Sequence, residues 1–264
     1  MSFLSAPRFS YVHVGGAFFC GAIASATITW CLYQRKQVKE SGILCSLERK
    51  TEPLLYDDSA RLKQILDFMK VTEKLKLVAR TVWLSDGARQ ESSAEHSWHV
   101  ALFYLLMQHD FPPDLDHSRV VKMLLVHDLV EVIAGDTPLY DTYTKTATGV
   151  LVENADAVSQ KKQKDKEAAA KLFGSLPHDL HTEILGLWNE YEARCTMEAN
   201  IAKSLDKLHP LIQNSVSNGR DYLEFKATYK GELSLLARYQ GTHPVIQKLG
   251  LMLLDEARQQ GWIA

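Results

Sequence analysis

The chain has 264 residues, 46% of them hydrophobic, with a formal net charge of -2 and a pI near 6.6. This balance excludes a general basic field for a nucleic-acid polymer, whereas a small phosphorylated ligand needs only local positive charge. The length is ample for one sizeable core with an appendage, and the four cysteines, Cys20, Cys31, Cys45 and Cys195, lack zinc-type spacing, so a reducing compartment is the simpler reading for the main domain.

Tyr11 to Tyr33 is a run of 23 residues without Asp, Glu, Lys or Arg, followed by Arg35, Lys36 and Lys39. It is long enough to span a bilayer core, and its basic flank places the remainder of the chain on the cytoplasmic side. Residues 11–33 therefore read as a membrane anchor, with residues 40–57 as a tether to a cytoplasmic catalytic domain. His13 and several Gly, Ser and Thr residues leave a cleaved signal, an organelle-targeting leader or a loosely ordered extension as alternatives, and with them a soluble cytoplasmic or organellar protein. The expected division is a hydrophobic segment and tether over 1–50 and a helical domain over 51–264.

From Ser59 to Val78, Leu62, Ile65, Leu66, Met69, Leu75 and Val78 recur at three- and four-residue steps, which predicts an amphipathic helix. Arg80 follows in LVARTVW, and Arg89 and Glu91 stand in the charged stretch SDGARQESS. Further helices are expected over Glu95 to Gln108 and Ser118 to Ala134. After them DTPLYDTYTKTATG has poor helix propensity and reads as a loop over a site. The remaining helices run from Leu151 to before Gly174, Pro177 to Arg194, Met197 to Asn214, Tyr222 to Tyr239 and Val245 to Gln260. No alternating run of useful strand length appears, so the fold class is all-α.

Within the apolar run VKMLLVHDLVEVIAGD, His127 and Asp128 stand where an ordinary helix buries aliphatic side chains. An ionised Asp left unpaired there is costly, and a metal removes that cost. His96 lies one helix upstream and Asp206 far downstream in SLDKLHP, so two imidazoles and two carboxylates are available to one divalent ion. Mixed nitrogen and oxygen ligation suits zinc, cobalt, manganese or iron(II). Glu131 falls four residues after His127 on the same face, and Asp136 follows Gly135 at the helix end. His99 reads as a support behind the ligands or a core residue. Pro210, directly after His209, either kinks the helix to aim Asp206 or breaks it. The bland alternative for the His-Asp pair is a hydrogen-bonded core histidine.

SAEHSWHVA, VHDLVEVIAGD and SLDKLHP, in that order with helical spacers, resemble the HD-domain metal-dependent phosphohydrolases, and most nearly the 5'-deoxynucleotidase branch. The resemblance covers residues 58–262 and implies an HD-domain helical bundle. It implies His96, His127, Asp128 and Asp206 as metal ligands, Glu131 as general acid or base, Asp136 near the sugar or the attacking water, and Arg80 on the phosphate. Arg89 and Glu91 are expected, less directly, to line the same mouth as substrate contacts, and Trp83 and Trp98 to influence substrate choice. A divalent ion lowers the pKa of bound water to about 7, so the implied reaction is hydrolysis of (deoxy)nucleoside 5'-monophosphates with no Ser or Cys nucleophile. The rival readings are an HD-type phosphodiesterase or triphosphohydrolase, and a membrane-tethered scaffold without turnover. The sequence leaves oligomeric state open, a homodimer among the options.

Overall fold

The structure is a computed structural model, and it describes residues 59–239 and 243–264. Ten helices and two short β-ribbons are assigned among these residues: α1 Ser59–Thr72, β1 Ala79–Trp83, β2 Gln90–Ser92, α2 Ser93–Met107, α3 His117–Val126, α4 Glu131–Ala134, β3 Tyr143–Lys145, β4 Leu151–Glu153, α5 Ala155–Phe173, α6 His178–Ala193, α7 Met197–Val216, α8 Arg220–Glu224, α9 Tyr229–Tyr239 and α10 Pro244–Gln259.

The centre of the bundle is α7. Ala199, Ile201, Ala202, Leu205 and Leu208 on it are all fully buried, packed among Tyr104 of α2, Met123 and Leu124 of α3, Tyr191 of α6, and Ile246 and Leu254 of α10. A large aliphatic side chain contributes roughly 1.5–3 kcal/mol when removed from water, so this helix is fixed on several sides at once. It enters the core with Thr196 as N-cap, whose hydroxyl accepts from Ala199 N at 3.1 Å. The helix runs on through Pro210, so the proline does not break it. A second cluster joins Val126, Val130 and Ala134 to Ala168, Ala169, Leu172 and Phe173 of α5 and to Trp188 of α6, clamping the segment that carries His127 and Asp128.

Several boundaries differ from expectation, each for a local reason. The first helix ends at Thr72, passes through a 3-10 turn over Glu73–Leu77, and the chain then becomes β1. None of the α1 residues is fully buried: Leu62, Leu66 and Met69 stay 56%, 59% and 61% exposed, while Phe68 packs partly buried against the second cluster. Strands were not expected. β1 and β2 pair antiparallel with Ala79 opposite Ser92 and Trp83 opposite Gln90, and β3 pairs with β4 with Thr144 opposite Val152. At three to five residues each, these ribbons are too short to print an alternation on the sequence. The expected helix over Tyr222 to Tyr239 is two helices, α8 and α9, separated at Phe225 to Thr228.

The membrane anchoring read from residues 11–33 and the domain boundary at residue 50 fall outside the described residues. Among the described residues no helix is long and apolar enough to cross a membrane, and the expectation of a membrane-anchored protein is corrected accordingly.

Candidate metal centre

The expected helix over Ser118 to Ala134 is interrupted where the chemistry lies. After α3, Leu129 N, Glu131 N, Val132 N and Ile133 N donate to the carbonyls three residues earlier, from Val126 to Val130. This tighter winding brings side chains three apart nearly into register. His127, Asp128 and Glu131 all line one cavity.

His96 arrives from α2, whose N-terminus is fixed by a capping box: Ser92 Oγ accepts from Glu95 N at 3.3 Å, and the Glu95 carboxylate accepts from Ser92 N at 2.9 Å. Asp206 arrives from α7. A donor atom from each of His96, His127 and Asp206 lies within 4.8 Å of the others. The Asp128 oxygens stand 3.2 Å from His127 Nε2 and 3.9 Å from His96 Nε2. All four expected ligands therefore converge, and all four are buried.

The orientation of each is set from behind. His127 Nδ1 donates to the Leu124 carbonyl at 2.8 Å, which turns Nε2 inward, where it is buried with no hydrogen-bond partner. Asp206 Oδ2 accepts from the Tyr191 hydroxyl at 2.6 Å and sits 3.0 Å from Lys207 Nζ, which leaves Oδ1 toward His96 at 3.1 Å. On the other side of His96, Nδ1 lies 3.1 Å from His209 Nδ1 and 3.6 Å from Glu91 Oε2, and His209 Nε2 lies 2.9 Å from His99 Nδ1. A buried nitrogen without a partner, facing two carboxylates and a second imidazole, is what a divalent cation satisfies, and the donor set fits a borderline or hard ion.

Arg80, on β1, places Nη1 3.1 Å from Asp128 Oδ2 and Nε 3.6 Å from Glu91 Oε2. Burial opposes its charge, but Asp128, Asp136, Asp206 and Glu131 together hold the guanidinium more firmly protonated than usual. For Asp128, burial is likewise outweighed, by His127, Arg80 and His96, which keep it ionised. Glu131 behaves in the opposite way. Its burial, with Asp128 and Asp136 nearby, pushes the carboxyl up to about 9, even though Ser93 Oγ donates to Oε2 at 2.5 Å. Asp136 is also raised, by burial first and by Asp128. Gly135, at φ 72° and ψ 157°, occupies backbone space that side-chain-bearing residues avoid, and the reversal there returns Asp136 to the cavity wall.

The cavity has a volume of about 360 Å³ and is lined by Arg80, His127, Asp128, Glu131, Asp136 and Asp206 among others. Thr137 to Tyr140, expected as a loop over the site, form part of its wall. Arg89 is the exception among the expected site residues. Its guanidinium is 56% exposed, donates to both Glu95 oxygens at 2.8 and 2.5 Å, and is not part of the cavity lining. That expectation is corrected: Arg89 steadies the start of α2. Glu91, by contrast, is buried between Arg80 and His96. Trp83 and Trp98 do not line the cavity either: Arg220 stacks on Trp83 at 3.3 Å, and Trp98 is 62% exposed and stacked on His99.

A helical bundle in which one helix supplies a His, the next an adjacent His-Asp pair and a later one an Asp is the arrangement of an HD domain. The sequence profile of the HD domain family matches residues 72–243, and the chain belongs to that family. It is 33% identical over 199 residues to the 5'-deoxynucleotidase HDDC2 of Danio rerio, covering 75% of this chain and 89% of the relative. The 5'-deoxynucleotidase HDDC2 of Dictyostelium discoideum is 27% identical over 208 residues, covering 75% of this chain and 100% of that one. Among solved structures, a predicted metal-dependent phosphohydrolase from Magnetospirillum magnetotacticum superposes with a TM-score of 0.67 at 35% identity, covering 78% of this chain and 99% of that chain.

Proposed function

We propose that the protein is a metal-dependent phosphoric monoester hydrolase that acts as a 5'-deoxynucleotidase, releasing phosphate from deoxynucleoside 5'-monophosphates. The observation that carries this reading is the inward-facing, unpartnered Nε2 of His127 beside the carboxylates of Asp128 and Asp206, under an arginine in the same cavity. The two HDDC2 relatives supply the substrate class.

In this reading His96, His127, Asp128 and Asp206 hold the ion. When bound there, a divalent cation supplies an acidified water and neutralises charge on a phosphoryl oxygen. Arg80 binds the phosphate: one of its five N–H donors is on Asp128, and its charge is secured by the surrounding carboxylates. Glu131 handles the proton. Its place in the cavity wall, with Ser93 donating to Oε2, suits a group that receives a proton from the attacking water and returns it to the departing sugar oxygen. Ser93 keeps the Glu131 side chain in place during both transfers, and Asp136 stands at the wall where sugar or water passes.

Phosphate release by the full chain, across deoxynucleoside and ribonucleoside 5'-monophosphates and a phosphodiester, tests the proposal. The expected result, with cobalt, manganese or zinc supplied, is release from deoxynucleotides well above release from the ribonucleotides and the diester. Cleavage of the diester alone would replace the monoester reading with a phosphodiesterase.

A further inference from the structure

The same cavity has a second polar end that the proposed hydrolysis does not use. Eight residues beyond Asp206, about 12 Å along α7 at 1.5 Å per residue, Asn214 marks a wall shared with Tyr140, Asp221, Tyr222 and Glu232. Asp221, Tyr222 and Glu232 are only 4%, 2% and 4% exposed. Glu232 Oε1 accepts from the Tyr140 hydroxyl at 2.7 Å, and the Tyr140 ring stacks on Phe225 at 4.7 Å. Asp221 Oδ1 and the Tyr222 hydroxyl are buried with no hydrogen-bond partner. Leu211, Leu235, Leu236 and Ile246 line the space with apolar surface.

A cavity with apolar walls and a few convergent polar groups is built for a flat, partly polar ligand, and buried polar atoms without partners are costly unless a ligand meets them. Two carboxylates repel a phosphate, so a nucleotide lies with its phosphate toward Arg80 and its base toward Asp221 and Glu232. Carboxylate oxygens accept N–H bonds. An exocyclic amino group supplies them, whereas the carbonyl that replaces it in uracil and thymine presents a second lone-pair oxygen to the same atoms.

Resting on the nucleotidase reading, we propose that Asp221 and Glu232, with the Tyr222 hydroxyl, form a base-reading subsite that selects bases bearing an exocyclic amino group, such as cytosine, over uracil and thymine. Burial pushes Asp221 up to about 6 and Glu232 up to about 7, so both act as pure acceptors only above those values, and selection is strongest in mildly alkaline solution.

The test is the ratio of kcat/KM for dCMP to that for dUMP at pH 8, for the full chain and for Asp221→Asn, Glu232→Gln and Tyr222→Phe. The two substrates share sugar and phosphate, so damage to folding or metal loading lowers both rates and cancels in the ratio. Wild type is expected to favour dCMP about tenfold, the scale of one good directional contact, and the amide variants, which can donate to a carbonyl, to bring the ratio toward one or invert it. A wild-type ratio within about twofold of one, or a ratio that survives in all three variants, overturns the subsite while leaving the nucleotidase reading intact. Release from neither substrate sinks that reading and the subsite with it.

Discussion

Asp128→Ala is expected to abolish phosphate release, lowering kcat/KM on the order of 10³-fold or more, because it removes a ligand worth several kcal/mol of transition-state stabilisation through the ion it holds. The same change removes the carboxylate that Arg80 engages at 3.1 Å, so phosphate binding weakens along with metal binding. Two readouts separate this from unfolding: metal content per chain by elemental analysis, expected to fall, and the cooperative melt of the metal-free protein, expected to persist. Asp128 engages Arg80 and His127 through polar contacts. A variant that keeps both its ion and its rate would remove Asp128 from the ligand set.

Glu131→Gln is expected to show the complementary pattern. The amide preserves the shape of the side chain and can still accept from Ser93, so the variant should bind metal as wild type does and keep its KM within a small factor. What it loses is proton transfer, and kcat should fall by roughly 10² to 10⁴. Pre-steady-state phosphate release distinguishes slow chemistry from slow product departure. If kcat is unchanged, Glu131 is a structural carboxyl and the proton moves through another group, with Asp136, in the same cavity, next in line.

His96, His127, Asp128 and Asp206 were legible in the sequence because charged and imidazole side chains stood in strongly apolar helical runs, where burial without a partner is expensive. The bundle itself was legible for a related reason, since α3, α6, α7 and α10 carry their apolar positions at helical spacing. The local break at His127 to Val130 was not. The run VHDLVEVIA has no Gly or Pro, and the turn is tightened by tertiary packing against α5 rather than by propensity. Ser93 and Tyr191, which orient Glu131 and Asp206, were also missed. Ser93 sits three residues before His96, a spacing that signals a shared face, whereas Tyr191 was indistinguishable from the apolar stripe of α6 until its hydroxyl was seen on Asp206.

Arg89 illustrates the opposite error. It lies close in sequence to the first histidine and carries the right charge for a phosphate, yet a capping glutamate three residues into α2 captures it. Glu91, one of the weaker expectations from the same loop, turned out to be the buried neighbour of both Arg80 and His96. Sequence proximity within a charged loop did not separate the two: Glu91 lies inside β2 and is buried, whereas Arg89 precedes that strand and turns to Glu95.

Metal content and turnover measured on one preparation of the full chain bear most directly on the metal centre. The protein is stripped with a chelator, shown to be empty by elemental analysis, and titrated with cobalt or manganese while phosphate release from a deoxynucleoside 5'-monophosphate is followed. The expected result is no release from the stripped protein and recovery that rises in proportion to bound ion and saturates near one ion per chain. Full activity in protein shown to carry no ion would contradict the assignment of His96, His127, Asp128 and Asp206 as the centre of the chemistry.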